Sequence, residues 1–109
     1  MRYITSQHYL NDAIVSDKLA NRDFAVSVSP EFEVDGELYR VILDGHHSLA
    51  AAVEYAKQTG LEVEIEFDEM DASRNDTVAV LESGNVDDFL ALVYVDGPYI
   101  DAFSHQEIW

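Results

Sequence analysis

Alternating apolar and polar residues predict the strands of this chain. Residues 24–29 (FAVSVS) place every second side chain on an apolar face, and residues 61–68 (LEVEIEFD) show the most regular alternation. Between them, residues 32–43 (FEVDGELYRVIL) predict a β-hairpin, because Asp-Gly tolerates the positive φ angles of a two-residue turn. A last strand–turn–strand is expected at residues 94–103, where a Gly-Pro pair marks the turn.

A repeat close to the 3.6-residue helical period predicts two main helices. The first carries apolar residues at positions i, i+3, i+4 and i+7, namely Leu49, Ala52, Val53 and Ala56, and Gly60 ends it. The second follows Asn85 at its N-cap, and its apolar face consists of Val86, Phe89, Leu90 and Val93. A shorter turn of helix is expected through residues 18–20, with Ser16 as its cap.

The interleaved strands and helices predict a mixed α/β (α+β) fold with a mixed sheet and two main helices packed on it. No linker, repeat or low-complexity segment divides the 109 residues, so one domain covering residues 1–109 is expected. The absence of cysteine excludes disulfides and thiolate chemistry. No apolar run approaches about 20 residues and no signal peptide is recognisable, so a full-length cytoplasmic protein with no membrane partner is expected.

Charge is the most unusual feature of the composition. Twenty-two Asp and Glu stand against six Lys and Arg, giving a formal net charge of -16. Because phosphate-binding proteins cluster Lys and Arg, and the six here are scattered, the sequence argues against direct nucleic-acid binding. The charge keeps a protein in solution, or it attracts a basic partner.

Residues 43–52 (LDGHHSLAAA) place a strand end directly before a helix start. The first backbone N–H groups of a helix lack partners and its N-terminus is positive, so this junction can bind an anion. Gly45 permits close approach, His46 and His47 offer donors, and Asp44 could hold a metal ion or orient an imidazole. The alternative is structural: Asp44 or Ser48 caps the helix and the histidines only pack.

The stretch YRVILDGHHSLAAA, followed by LEVEIEF, resembles the ParB/sulfiredoxin-like superfamily over about residues 24 to 68. The resemblance implies a small α/β fold with a nucleotide-phosphate pocket at the helix N-terminus, formed here by Asp44, Gly45, His46 and His47. Members hydrolyse nucleotides, transfer phosphoryl groups or act as nucleases. Ser48 departs from the motif, because the family commonly has arginine there, whose planar charged fork suits phosphate.

The resemblance therefore implies a nucleotide or phosphorylated small molecule as ligand, with Mg²⁺ as a possible cofactor. Serine at position 48 contributes one hydroxyl group and no charge to such a site. No catalytic residue is identified, so phosphoryl transfer or hydrolysis is left open. A small stand-alone protein of this family would suit a plasmid or a phage.

Acidic residues alternate along the predicted strand at residues 61–68. Glu62, Glu64, Glu66 and Asp68 are expected on one face, about 6.7 Å apart. This face is a solvated sheet surface, a divalent-cation site, or the partner-binding surface of a non-enzymatic DNA-mimic inhibitor that occupies a basic nucleic-acid-binding protein. His8 and His105 have no partner at a ligand spacing, so no zinc site is expected.

Overall fold

The computed structural model describes residues 1–109 and contains six strands and four helices. The strands are β1 (Arg2–Thr5), β2 (Ala25–Val28), β3 (Phe32–Val34), β4 (Glu37–Asp44), β5 (Glu66–Glu69) and β6 (Ile100–Asp101). The helices are α1 (Asp12–Ala20), α2 (His46–Thr59), α3 (Asp76–Glu82) and α4 (Val86–Leu92). The predicted mixed α and β class is confirmed, with two helices, α1 and α3, in addition to the two main ones.

The longest strand, β4, organises the sheet. The strand order is β5-β2-β4-β1-β6, and β3 also pairs with β4. The β1–β4 and β2–β5 pairs are parallel, and the β2–β4, β3–β4 and β1–β6 pairs are antiparallel. The predicted β3–β4 hairpin is confirmed, with φ angles of 51° at Asp35 and 82° at Gly36 in its turn.

Helices cover both faces of the sheet. On one face, Leu49 of α2 packs against the buried side chains of Val26, Val28 and Ile42, and α1 packs on α2. On the other face, Leu81 of α3 and Phe89 of α4 pack with residues from β1, β3 and β4. None of the four helices has the length and apolarity needed to cross a membrane.

The sheet is strongly curved. The rings of Tyr3 in β1 and Phe67 in β5 stack with centroids 4.4 Å apart. Two strands, β2 and β4, lie between them in the sheet order. A flat sheet would separate β1 and β5 by about 14 Å, three times the usual spacing between strands. The α2 face is therefore concave, which brings distant strands to the same clefts.

The long strand predicted at residues 61–68 is wrong for its first five residues. Only β5, which starts at Glu66, is a strand, and its first pair is Ala25–Glu66. Because the chain upstream of Ala25 turns into α1, it offers no strand to pair with residues 61–65. Residues 61–65 therefore lie beside α2 without a ladder.

Two further predictions are corrected near the chain ends. Asn11, and not Ser16, caps α1, because its side chain accepts hydrogen bonds from the backbone N–H groups of Ala13 and Ile14. No strand precedes the Gly97-Pro98 turn, since the backbone N–H groups of Asp96 and Gly97 both bond to the Ser6 carbonyl.

The N-terminal strand β1 was not predicted, because four residues are too few to show a period.

Candidate functional site

The junction between β4 and α2 lies where the sequence predicts it. Strand β4 ends at Asp44, Gly45 adopts φ 90°, and α2 begins at His46. A Cβ atom on Gly45 would lie 2.5 Å from the carbonyl oxygen of Ala25 and 2.9 Å from Cα of Val26. Only glycine fits there, because it accepts the positive φ and lets the junction touch β2.

No side chain caps the N-terminus of α2. The Asp44 carboxylate accepts a hydrogen bond from the Gly45 N–H (2.8 Å), which precedes the helix. Ser48 is 2% exposed, and α2 has no acidic residue in its first turn. The predicted capping by Asp44 or Ser48 is therefore wrong, and the positive end of α2 is not neutralised by its own side chains.

His46 is held inside the fold as a neutral side chain. Its Nε2 atom is hydrogen-bonded to Oγ1 of Thr5, 2.6 Å away at the end of β1. Burial lowers the pKa of His46 to about 4, because the charged imidazolium loses its hydration. His46 therefore brings no positive charge to a phosphate at neutral pH.

His47 connects α2 to α1. Its Nε2 atom accepts a hydrogen bond from the backbone N–H of Asn11 at 3.1 Å, and Asn11 is the N-cap of α1. A backbone N–H can only donate, so Nε2 is unprotonated and the imidazole proton is on Nδ1. The two adjacent histidines thus anchor the junction, one to β1 and one to α1.

A cleft of about 290 Å³, the junction cleft, lies at this end of α2. Its lining includes Gly45, His47, Ser48 and Ser27, together with four charged side chains: Lys18, Asp23, Asp44 and Asp68. In the sheet register, Ser27 of β2 lies between Asp44 of β4 and Asp68 of β5. The register of the sheet therefore brings Asp44 and Asp68 to one cleft, although 24 positions separate them in the sequence.

Two cations hold two of these carboxylates. Lys18 Nζ lies 2.9 Å from Asp23, and this hydrogen bond lowers the pKa of the Asp23 carboxyl. Both carboxylate oxygens of Asp68 accept from the Arg74 guanidinium, at 3.0 and 2.6 Å, which lowers the pKa of Asp68. The junction cleft thus has three carboxylates and one ammonium group on its lining, an environment that attracts cations.

Protein side chains alone do not complete a metal site. No group of three or more His, Asp or Glu side chains is arranged to hold a metal ion. Mg²⁺, however, commonly takes only one or two carboxylates and completes its shell with water and substrate phosphates. Asp44 is suited to that partial role, because it is exposed and forms no ion pair with a Lys or Arg side chain.

The acidic residues predicted to share one strand face are divided. Glu66 and Asp68 lie in β5. Glu62 and Glu64 precede it and line an open groove of about 960 Å³ beside α2, the α2 groove. The prediction of one continuous acidic strand face is therefore wrong for Glu62 and Glu64.

A second cleft, the histidine cleft of about 570 Å³, was not predicted from the sequence. Its lining includes His46, which does not line the junction cleft, with His8, Glu54, Lys57 and His105. These residues come from three separate segments, so no local spacing could have indicated them. Lys18 of the junction cleft was missed for the same reason.

The structure thus brings Asp44, Gly45, His47 and Ser48 together in one cleft and turns His46 into another. Comparisons with protein-family models, with curated proteins and with solved structures found no match to this chain.

Proposed function

We propose that the junction cleft binds the phosphate group of a nucleotide or another phosphorylated ligand together with Mg²⁺. The observation that carries this proposal is that the uncapped N-terminus of the 14-residue helix α2 shares a cleft with Asp44 and Asp68. The helix end supplies N–H donors and a partial positive charge for the anion. The carboxylate of Asp44 supplies an oxygen ligand for the cation.

Magnesium resolves the charge problem of the cleft. Asp23 and Asp68 are paired with Lys18 and Arg74, so a phosphate alone would meet the unpaired negative charge of Asp44 and would be repelled. A Mg²⁺ ion held by Asp44 would change that balance by two charges. Residues 44–47 (DGHH) resemble a motif of the ParB/sulfiredoxin-like superfamily, and this resemblance also supports a phosphorylated ligand.

The cleft volume limits what is bound inside. About 290 Å³ lies at the lower end of small-molecule sites, which usually span about 300–1,000 Å³. It suits a phosphate group better than a whole nucleotide, whose base would remain outside. Because the Nε2 atoms of both histidines are already hydrogen-bonded, we propose binding and assign no catalytic base.

Replacing Asp44 by Asn tests the proposal. We expect ligand and Mg²⁺ together, but neither alone, to raise the melting temperature of the wild-type protein by mass action. The Asp44→Asn variant should bind the ligand about tenfold more weakly, because it loses one charged metal contact. A panel of nucleoside mono-, di- and triphosphates in thermal shift and calorimetry provides the measurement.

Asp88→Asn is the matched control, because it removes the same charge from an exposed position on α4. It should leave both the affinity and the Mg²⁺ dependence unchanged. Two results would contradict the proposal: no member of the panel shifts the wild-type protein, or binding is as tight without Mg²⁺ as with it.

A second candidate function, binding of a basic protein by the acidic surface, is favoured by the ion-pair pattern. Only five of the twenty-two acidic residues form ion pairs with Lys or Arg: Asp23, Glu31, Glu37, Asp68 and Glu69. The other seventeen have no cationic partner in the chain, and none of the twenty-two is buried. Such a surface attracts a basic partner and accelerates encounter.

The triple substitution of Glu62, Glu64 and Glu66 by Gln tests this second function. These residues are exposed, so the fold should tolerate the change, while association with a basic partner retained from host lysate should slow by about tenfold at low salt. Association kinetics at two salt concentrations provide the measurement. The control triple replaces three exposed glutamates elsewhere, Glu33, Glu82 and Glu107, by Gln. Equal slowing by both triples would show a general charge effect and no defined surface.

A further inference from the structure

The structure also points to a second ligand, and we propose that the histidine cleft binds an α-amino acid with an apolar side chain. The cleft lies between α2, the segment after β1 and the C-terminal turn after β6. Its volume of about 570 Å³ falls within the usual range of small-molecule sites. It is separate from the junction cleft, so this inference does not depend on the phosphate proposal.

One wall of the cleft is fixed around His8. The His8 backbone N–H donates to the Asp96 carboxylate at 2.7 Å, and Nε2 donates to the Pro98 carbonyl at 2.6 Å. A Cβ on Gly97 would lie 2.8 Å from Nε2 of His8, so glycine leaves the space that the imidazole occupies. The ring is therefore held in place before any ligand arrives, which lowers the entropy cost of binding.

Another part of the lining is a hydrogen-bonded turn that ends at His105. The Asp101 carboxylate accepts hydrogen bonds from the backbone N–H groups of Phe103 and Ser104, both at 2.9 Å. His105 has φ 62°, and its backbone N–H donates to the Asp101 carbonyl. A left-handed conformation at a residue other than glycine is uncommon, and here the turn holds it beside the cleft.

Apolar side chains form the floor of the cleft. Leu49 and Ala102 are 4% and 6% exposed, and Val53 and Ile100 are half-buried beside them. Phe103 stands exposed at the border with the α2 groove, whose lining it shares. An aromatic or branched aliphatic side chain can leave water by packing on this floor.

Two opposite charges on α2 select the polar part of the ligand. Glu54 and Lys57 are three residues apart, so they lie on the same side of the helix, and both line the cleft. They form no ion pair with each other or with any other residue. The α-ammonium group of an amino acid fits Glu54 and its α-carboxylate fits Lys57.

The overall charge of the protein favours a zwitterion over either ion alone. A simple carboxylate would approach a protein of net charge -16 against its field. A simple amine would be attracted, but it would leave Lys57 without a counter-charge beside it. An α-amino acid carries both groups and no net charge, so it satisfies both side chains without this repulsion.

Three probes that share a phenyl ring test the inference: L-phenylalanine, phenylacetate and phenethylamine. We expect L-phenylalanine to bind most tightly, with amide chemical-shift changes at residues 49–57 and 100–105 in NMR titrations of the isotope-labelled protein. Lys57→Gln should weaken L-phenylalanine and phenylacetate by about three- to tenfold and leave phenethylamine unchanged. Glu54→Gln should weaken L-phenylalanine and phenethylamine and leave phenylacetate unchanged.

Glu82→Gln provides the control, because it removes an exposed charge from α3, outside the cleft. Its affinities for all three probes should match those of the wild type. The inference is overturned if L-phenylalanine shifts no resonance in the two segments. It is also overturned if all three probes bind equally, or if both cleft variants keep wild-type affinity, since the charges would then select nothing.

Discussion

Gly45→Ala is expected to lower the free energy of unfolding by about 2–6 kcal/mol. Alanine at φ 90° is strained by about 1–3 kcal/mol. Its Cβ would also lie 2.5 Å from the Ala25 carbonyl oxygen. Because a backbone atom cannot rotate away as a side chain can, this close contact adds about 1–3 kcal/mol. Urea unfolding followed by circular dichroism measures the loss.

Gly84→Ala separates the two costs. Gly84 has φ 91°, almost the angle of Gly45, but nothing lies within 4 Å of a Cβ built there. Gly84→Ala should therefore lose only the conformational part, about 1–3 kcal/mol. If both variants lose the same stability, the close contact between the junction and β2 has no energetic weight and our account of Gly45 is wrong.

Lowering the pH is expected to remove about 3 kcal/mol of stability through His46 alone. The folded-state pKa of His46 is about 4, below its ordinary value of 6.5, so the unfolded chain takes up a proton more readily than the folded one. The stability that depends on neutral His46 is therefore fully present above pH 6.5. It is lost as the pH drops from 6.5 to 4 and does not change further below pH 4. Unfolding free energies measured across this range give the slope.

The carboxyl groups of the protein also titrate toward the acid end of this range. The pH dependence of the wild type must therefore be compared with that of the His46→Gln variant. The variant should show a flatter pH dependence than the wild type between pH 6.5 and 4. An independent measurement is the NMR titration of the His46 ring, whose midpoint should lie near pH 4. A midpoint near 6.5 would contradict the desolvation of the His46 imidazole by burial.

Local chemistry made the junction predictable from the sequence. An Asp-Gly pair at a strand end, followed by small apolar residues at helical spacing, predicts a strand, a sharp turn and a helix. The structure confirms this order at Asp44, Gly45 and His46. The β3–β4 hairpin was predictable for the same reason, because the positive φ angles at Asp35 and Gly36 depend on those two residues.

Tertiary pairing explains what the sequence did not predict. The alternation at residues 61–68 is genuine, but a strand needs a partner, and β2 provides one only from Ala25 onward. The sequence likewise does not reveal which side chains meet in the folded chain. Nothing in the sequence indicates that His46 would meet Thr5, that His47 would meet Asn11, or that Lys57 and His8 would line one cleft.

The outer edge of β5 has a consequence for how the protein behaves in concentrated solution. This strand pairs only with β2, so its other side presents unpaired backbone groups, and such edges can recruit a strand from another copy of the chain. Three of its four residues are acidic: Glu66, Asp68 and Glu69. Asp68 and Glu69 are paired with Arg74 and Arg40, so it is the unpaired Glu66 and the net charge of -16 that repel a second copy at this edge. As the pH approaches the isoelectric point of about 4.2, that repulsion fades, and β5 becomes the place where self-assembly into extended sheets would begin.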